Sequence, residues 1–241
     1  MARRDGRKGR RAVVHTSATI SSGDVQTLLP LALAHHQSGD FERARTLYEQ
    51  LIAADPRHAD GLQYFGILCH QCGDPSKAES LIRSAIAHKP DVALYYDNLG
   101  TVLEHNGRFD EALRAYEAAE RLEPGDIDRA YNLGVVLDHL GQTRQAEERY
   151  GQVLEQRPDD VDCQFALAKI CKARGALDDA IAIYQRILTL DADHNASRIN
   201  LANVLQDRGE IEQALGQYRA VVAREDLNAL DAAAAYHNQG R

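Results

Sequence analysis

The chain has no tryptophan, one methionine, four cysteines and six prolines in 241 residues. No apolar run approaches the roughly 18 residues that would suggest a membrane span, so no membrane partner is expected. Cys69, Cys72, Cys163 and Cys171 are too few and too irregularly spaced for a secreted disulfide scaffold. Reduced thiols in a cytoplasmic protein are expected instead. The basic start MARRDGRKGRR is followed by AVVHTSATISSG, which is too short and polar to be the apolar core of a secretory signal. An early Asp5 also argues against a transit peptide. No aromatic residue is interleaved with those arginines, which argues against specific single-strand nucleic-acid recognition.

The residues present have a helical lean, because Ala, Leu, Glu, Arg and Gln recur. Hydrophobic residues make up 44% and charged residues 27%. Charge is unevenly placed. Residues 1–24 hold six basic and two acidic side chains, a net +4, so an overall −8 leaves −12 for the remainder. Residues 1–24 read as a basic, disordered tail. That tail is where contact with nucleic acid or an anionic surface is expected, if anywhere.

A step of 34 residues organises the chain beyond that tail. From Gly39 it reaches Gly73, Gly107, Gly141, Gly175 and Gly209. From Ala44 it reaches Ala78, Ala112, Ala146, Ala180 and Ala214. A third column holds Tyr48, Ile82, Tyr116, Tyr150, Tyr184 and Tyr218, and a fourth holds Pro56, Pro90, Pro124 and Pro158, then Ala192. Gly66, Gly100 and Gly134 share a position with Ala168 and Ala202. The invariant glycines suit the residue after a helix, where positive φ is needed. The small columns suit close helix crossings, and the tyrosines fill space between neighbouring units. The prolines end the second helix of each unit. Asp91, Asp126 and Asp159 then stand where the next helix wants an N-cap.

Helix, glycine turn, helix, proline stop: this pattern resembles the tetratricopeptide repeat (TPR). The resemblance implies an all-α solenoid, a right-handed superhelix of antiparallel helix pairs whose concave face is lined by first helices. Six units are expected, at 25–58, 59–92, 93–126, 127–160, 161–194 and 195–228. Two departures stand out. Pro30 falls inside the first helix, where it is expected to kink or delay it. Residues 229–241 read as the start of an incomplete seventh unit, because YHNQG resembles AYNLG. The chain then stops without a capping helix, so it reads as part of a longer protein or as a fragment.

The concave face carries the binding candidates. One column reads Pro30, Tyr64, Asn98, Asn132, Ala166 and Asn200, with Asn238 in the offset last unit. An amide can donate to a backbone carbonyl and accept from a backbone N–H, so a row of amides can hold an extended chain by its main chain. The row is similar to the one in the TPR superhelix of O-linked N-acetylglucosamine transferase, where it holds substrate peptides. Only Asn98, Asn132, Asn200 and Asn238 carry over. Tyr64 and Tyr131 are added as aromatic groove contacts. Asp60, Asp97, Glu104, Asp128, Asp138 and Asp162, against Lys169 and Lys172, make the groove favour neutral to basic segments. Another TPR class clamps acidic chaperone tails with basic side chains. Leu29, Asp60, Gln63, Tyr64, Leu94 and Asp97 stand where those should be, which excludes it.

Nothing points to chemistry. There is no glycine-rich phosphate loop, nucleophile elbow or metalloprotease helix. CHQC at Cys69–Cys72 lies on one helix without a second pair, and reads as packed core thiol. The pairs Glu104–His105 and Asp138–His139 read as solvated groove residues. No cofactor, metal or small-molecule substrate is expected. The expected function is that of a non-enzymatic scaffold that binds a protein or peptide. The alternative is the substrate-recognition region of a larger glycosyl-, sulfo- or methyltransferase.

Overall fold

The computed structural model describes residues 22–222. Among them are twelve helices and no strand. In chain order they are α1 (Ser22–Gln37), α2 (Phe41–Ala54), α3 (Ala59–Gln71), α4 (Pro75–His88), α5 (Ala93–His105) and α6 (Phe109–Leu122). Then come α7 (Ile127–His139), α8 (Thr143–Gln156), α9 (Val161–Ala173), α10 (Leu177–Leu190), α11 (Asn195–Asp207) and α12 (Ile211–Val222). Each odd helix packs on the even helix after it, and each even helix on the next odd one. The molecule is an all-α solenoid of six helix pairs. The basic tail lies almost wholly outside the described residues, and residues 229–241, with Asn238, lie entirely outside them.

The glycine turns behave as their chemistry requires. Gly39, Gly73, Gly107, Gly141, Gly175 and Gly209 have φ of 78°, 79°, 70°, 72°, 80° and 87°. At Gly73 the amide donates to the His70 carbonyl and the Asp74 amide to the Cys69 carbonyl, at 3.0 and 2.9 Å. The same doubled closure recurs at the other five, so two orphan carbonyls at the end of every first helix are satisfied.

The second helices stop differently from expectation. α2, α4, α6 and α8 end two residues before their prolines, at a C-cap with ψ between 72° and 88°. The residue before proline is pushed out of the helical region, so the stop comes one residue early. α10 ends the same way, at Asp191 with ψ 95°, although Ala192 replaces the proline. The amide of Asp191 donates to the Ile187 carbonyl at 2.7 Å, which closes the end without proline.

Three further expectations are corrected. α1 runs unbroken across Pro30, whose side chain is exposed. Of the three predicted aspartate caps only Asp126 acts, accepting from the Arg129 amide at 2.8 Å. Val92 starts α5 without a side-chain cap, and Asp160, not Asp159, caps α9. Cys72 is the exposed C-cap of α3, while Cys69 is buried in the core.

Packing explains the small columns. The six alanines from Ala44 to Ala214 are at most 2% exposed, and the five tyrosines of the bulky column at most 1%. A Cβ on Gly100 would lie 2.6–2.8 Å from the Tyr116 ring, and one on Gly134 2.6–3.0 Å from the Tyr150 ring. Glycine is there because a rigid ring occupies the space a methyl group would need.

Candidate peptide-binding groove

First helices touch one another along the first four pairs, α1 to α3, α3 to α5 and α5 to α7. No comparable contact joins successive second helices. Elements that approach each other on one side only lie on the inside of a curve, so the first helices line the inner face.

The buried tyrosine column reaches that face from behind. The Tyr48 hydroxyl lies 3.2 Å from His36 Nδ1, and the Tyr116 hydroxyl donates to Glu104 Oε2 at 2.9 Å. Tyr218 donates to Asn203 at 2.6 Å and contacts Gln206 at 3.3 Å. His36, Glu104 and Gln206 occupy one repeat position, so these three tyrosines each meet a groove side chain of their own pair. Burial, then the Glu104 charge, pushes the Tyr116 hydroxyl well above its ordinary pKa, so it stays a donor. At the matching place in the fifth pair, the Tyr184 hydroxyl is buried without a partner, and Lys172 turns to Asp207 at 3.4 Å. Periodicity alone could not have found this role, because a tyrosine and a core phenylalanine fit the column equally well.

The candidate amides divide. Asn98 Nδ2 is buried and has no hydrogen-bond partner. Asn132 is half-buried, and its side chain makes no hydrogen bond among the described residues. Asn200 Nδ2 instead donates to the Ala196 carbonyl of its own helix at 2.9 Å. The carboxylates divide too. Asp97 holds Arg129 through two bonds of 2.7 and 2.9 Å, and Asp128 holds Arg157 at 2.6 Å. Arg129 is 2% exposed and also reaches Glu120 and the Glu123 carbonyl, which clips the third pair to the fourth. These partners hold its guanidinium charged, with Asp97 first among them. Glu104 and Asp138 have no cationic partner among the described residues. Burial, then Asp162 and Asp160 and, last, Glu104, pushes up the Tyr131 pKa, so negative charge gathers around that ring.

The histidines of the two expected pairs are occupied by rings. His105 stacks on His70 with centroids 4.9 Å apart, and His139 stacks on Phe109 at 4.2 Å. Among the described residues no three His, Cys, Asp or Glu side chains gather as a metal site. No described helix is long and apolar enough to cross a membrane.

A tetratricopeptide repeat profile matches residues 35–99 and 103–170, and two others match 163–196 and 196–224. The chain belongs to the tetratricopeptide repeat family. Solved TPR-like structures resemble it at low identity. PilW, a type IV pilus biogenesis factor, is 18% identical over 88% of this chain and 99% of its own, with a TM-score of 0.76. PilF from Pseudomonas aeruginosa is 21% identical over 90% and 96%, with a TM-score of 0.70. YrrB, described as a TPR protein with an unusual peptide-binding site, is 21% identical over 80% and 98%, with a TM-score of 0.67. At such identities the likeness is one of fold. No curated protein sequence matches the chain.

Proposed function

We propose that this chain is a protein-interaction scaffold whose inner face holds an extended polypeptide segment by its main chain. Asn98 is the observation that carries the reading. Its amide nitrogen is buried at the groove without an acceptor. A buried donor left unpaired costs about 1–3 kcal/mol, and a turn of the Asn98 side chain that brings its amide to a peptide carbonyl in the groove would remove that cost. Asn132, one unit on, offers a second amide with no internal use. Glu104 and Asp138 favour neutral or basic segments over acidic ones. On this reading the scaffold acts by binding. Four free thiols, three of them buried, favour a reducing compartment such as the cytoplasm.

The test is to pan the folded chain against a random linear peptide library and titrate the best peptide. Ala at Asn98 and Asn132 together is expected to weaken binding about ten-fold, near 1.4 kcal/mol, with the melting temperature held. Full affinity in the double variant would place recognition elsewhere.

A further inference from the structure

At the start of the solenoid the inner face opens into a pocket of about 680 Å³ between α1 and α3. Leu33, Phe41, Tyr64 and Ile67 give it apolar walls, with His36 and Gln71 at the edge. His36 Nε2 and Gln71 Oε1 are 2.8 Å apart, which ties that edge together across the two helices. Phe41 is 37% exposed, and its ring packs edge-on against His36 with centroids 5.8 Å apart. Further along the same face stand the carboxylates of Glu104 and Asp138. Neither has a cation among the described residues, and Tyr116 orients the first. Elsewhere on this surface Asp60 pairs with Lys89, Asp97 with Arg129, Asp128 with Arg157 and Asp207 with Lys172, while Asp162, like Glu104 and Asp138, has no cation among the described residues.

Resting on the peptide-groove reading above, we propose that the groove reads two features of its ligand: a bulky apolar side chain in the α1–α3 pocket, and Arg or Lys two units on, at Glu104 and Asp138. Charge complementarity selects this occupant. An acidic or wholly apolar segment would leave those carboxylates unpaired beneath it. Packed helices lie about 8–10 Å apart, so two steps along the inner face span roughly 20 Å. An extended chain covers that with about six residues at 3.3 Å each. Asn98 stands on α5 with Glu104, so on this reading its amide meets the main chain next to the basic residue.

Synthetic fluorescein-labelled peptides test this, each carrying one Phe and an Arg pair separated by two, six or ten Gly/Ser residues. Controls replace Phe by Ala or the Arg pair by Ser. Fluorescence anisotropy against the full chain is expected to favour the six-residue spacing, with about ten-fold loss for either control. Ile67→Ser should abolish the preference for Phe and keep the salt dependence. Glu104→Gln with Asp138→Asn should abolish the preference for Arg and the salt dependence, and keep the preference for Phe. Thermal midpoints of both variants check that they fold, and the second conserves shape. Binding that depends on Asn98 but ignores both Phe and Arg would overturn the two-feature reading and leave the peptide groove standing. No binding by any peptide would overturn both. Concentration-dependent dimerisation abolished by Ile67→Ser would give the pocket to a second copy of the chain and also overturn the proposal.

Discussion

The third and fourth helix pairs and the sixth share one repeat, yet they use its positions in opposite ways. In the central pairs Asn98 and Asn132 have no partner and Glu104 and Asp138 no cation among the described residues, while Arg129 is locked into the body of the solenoid. In the sixth pair Asn200 bonds to its own helix, and Ser197 stands where Arg129 does, its hydroxyl buried without a partner. The fifth pair adds Lys172, tied to Asp207. The difference teaches that a repeat position is a place and not a role. The same residue type is free for a ligand or committed to the fold according to what its neighbours offer.

The contrast should be largest at the third position of the first helix. Arg129→Ala is expected to cost about 3 kcal/mol, because Asp97 and Glu120 lose their cation. Ser197→Ala should be neutral or slightly stabilising, because an unpaired buried hydroxyl is removed. Urea unfolding of the two variants checks both, and equal losses would erase the distinction.

Next comes the small position. Gly100→Ala should cost about 1–3 kcal/mol as the new methyl meets the Tyr116 ring. Ala168→Gly in the fifth pair should cost only about 0.5–1 kcal/mol, the usual penalty of glycine in a helix. Thermal melting of both variants would show it, and a tolerated Gly100→Ala would mean that the central pairs are not closely crossed.

The smallest contrast is in pH. Tyr48, Tyr116, Tyr150 and Tyr184 all have their pKa raised, chiefly by burial. A raised folded pKa favours the neutral form, so their contribution is whole below the ordinary tyrosine value of 10.0 and is lost as pH rises beyond it. Tyrosinate absorbance, read without interference because tryptophan is absent, should rise together with the loss of helix. Ionisation of most tyrosines while helix content holds would contradict the buried column.

Much of the fold was legible because its determinants are local or strictly periodic. The positive φ of Gly107 and the crowding at Gly100 each leave a one-residue signature. Helix starts were less legible. His58 and His194 cap α3 and α11 through Nδ1 at 3.1 Å, a role that depends on the ring tautomer and not on residue type. The proline stop was over-read, since Asp191 ends α10 without one. For the groove, the sequence located Asn98, Asn132, Glu104 and Asp138 but could not separate them from Asp97, Asp128 and Asn200. Asp97 is neutralised by an arginine 32 residues away across a unit boundary, and Asp128 by one 29 residues away at the far end of its own unit, separations that only packing closes. The pocket at Phe41 and Ile67 needed three separate segments and had no periodic signal.

In the groove, the central amides are free for a ligand and the Asn200 amide is not. Titration of one library-selected peptide against Asn98→Ala with Asn132→Ala, and separately against Asn200→Ala, tests this most directly. About ten-fold weaker binding is expected for the first and unchanged binding for the second. Equal losses in both, or a loss confined to Asn200→Ala, would contradict it.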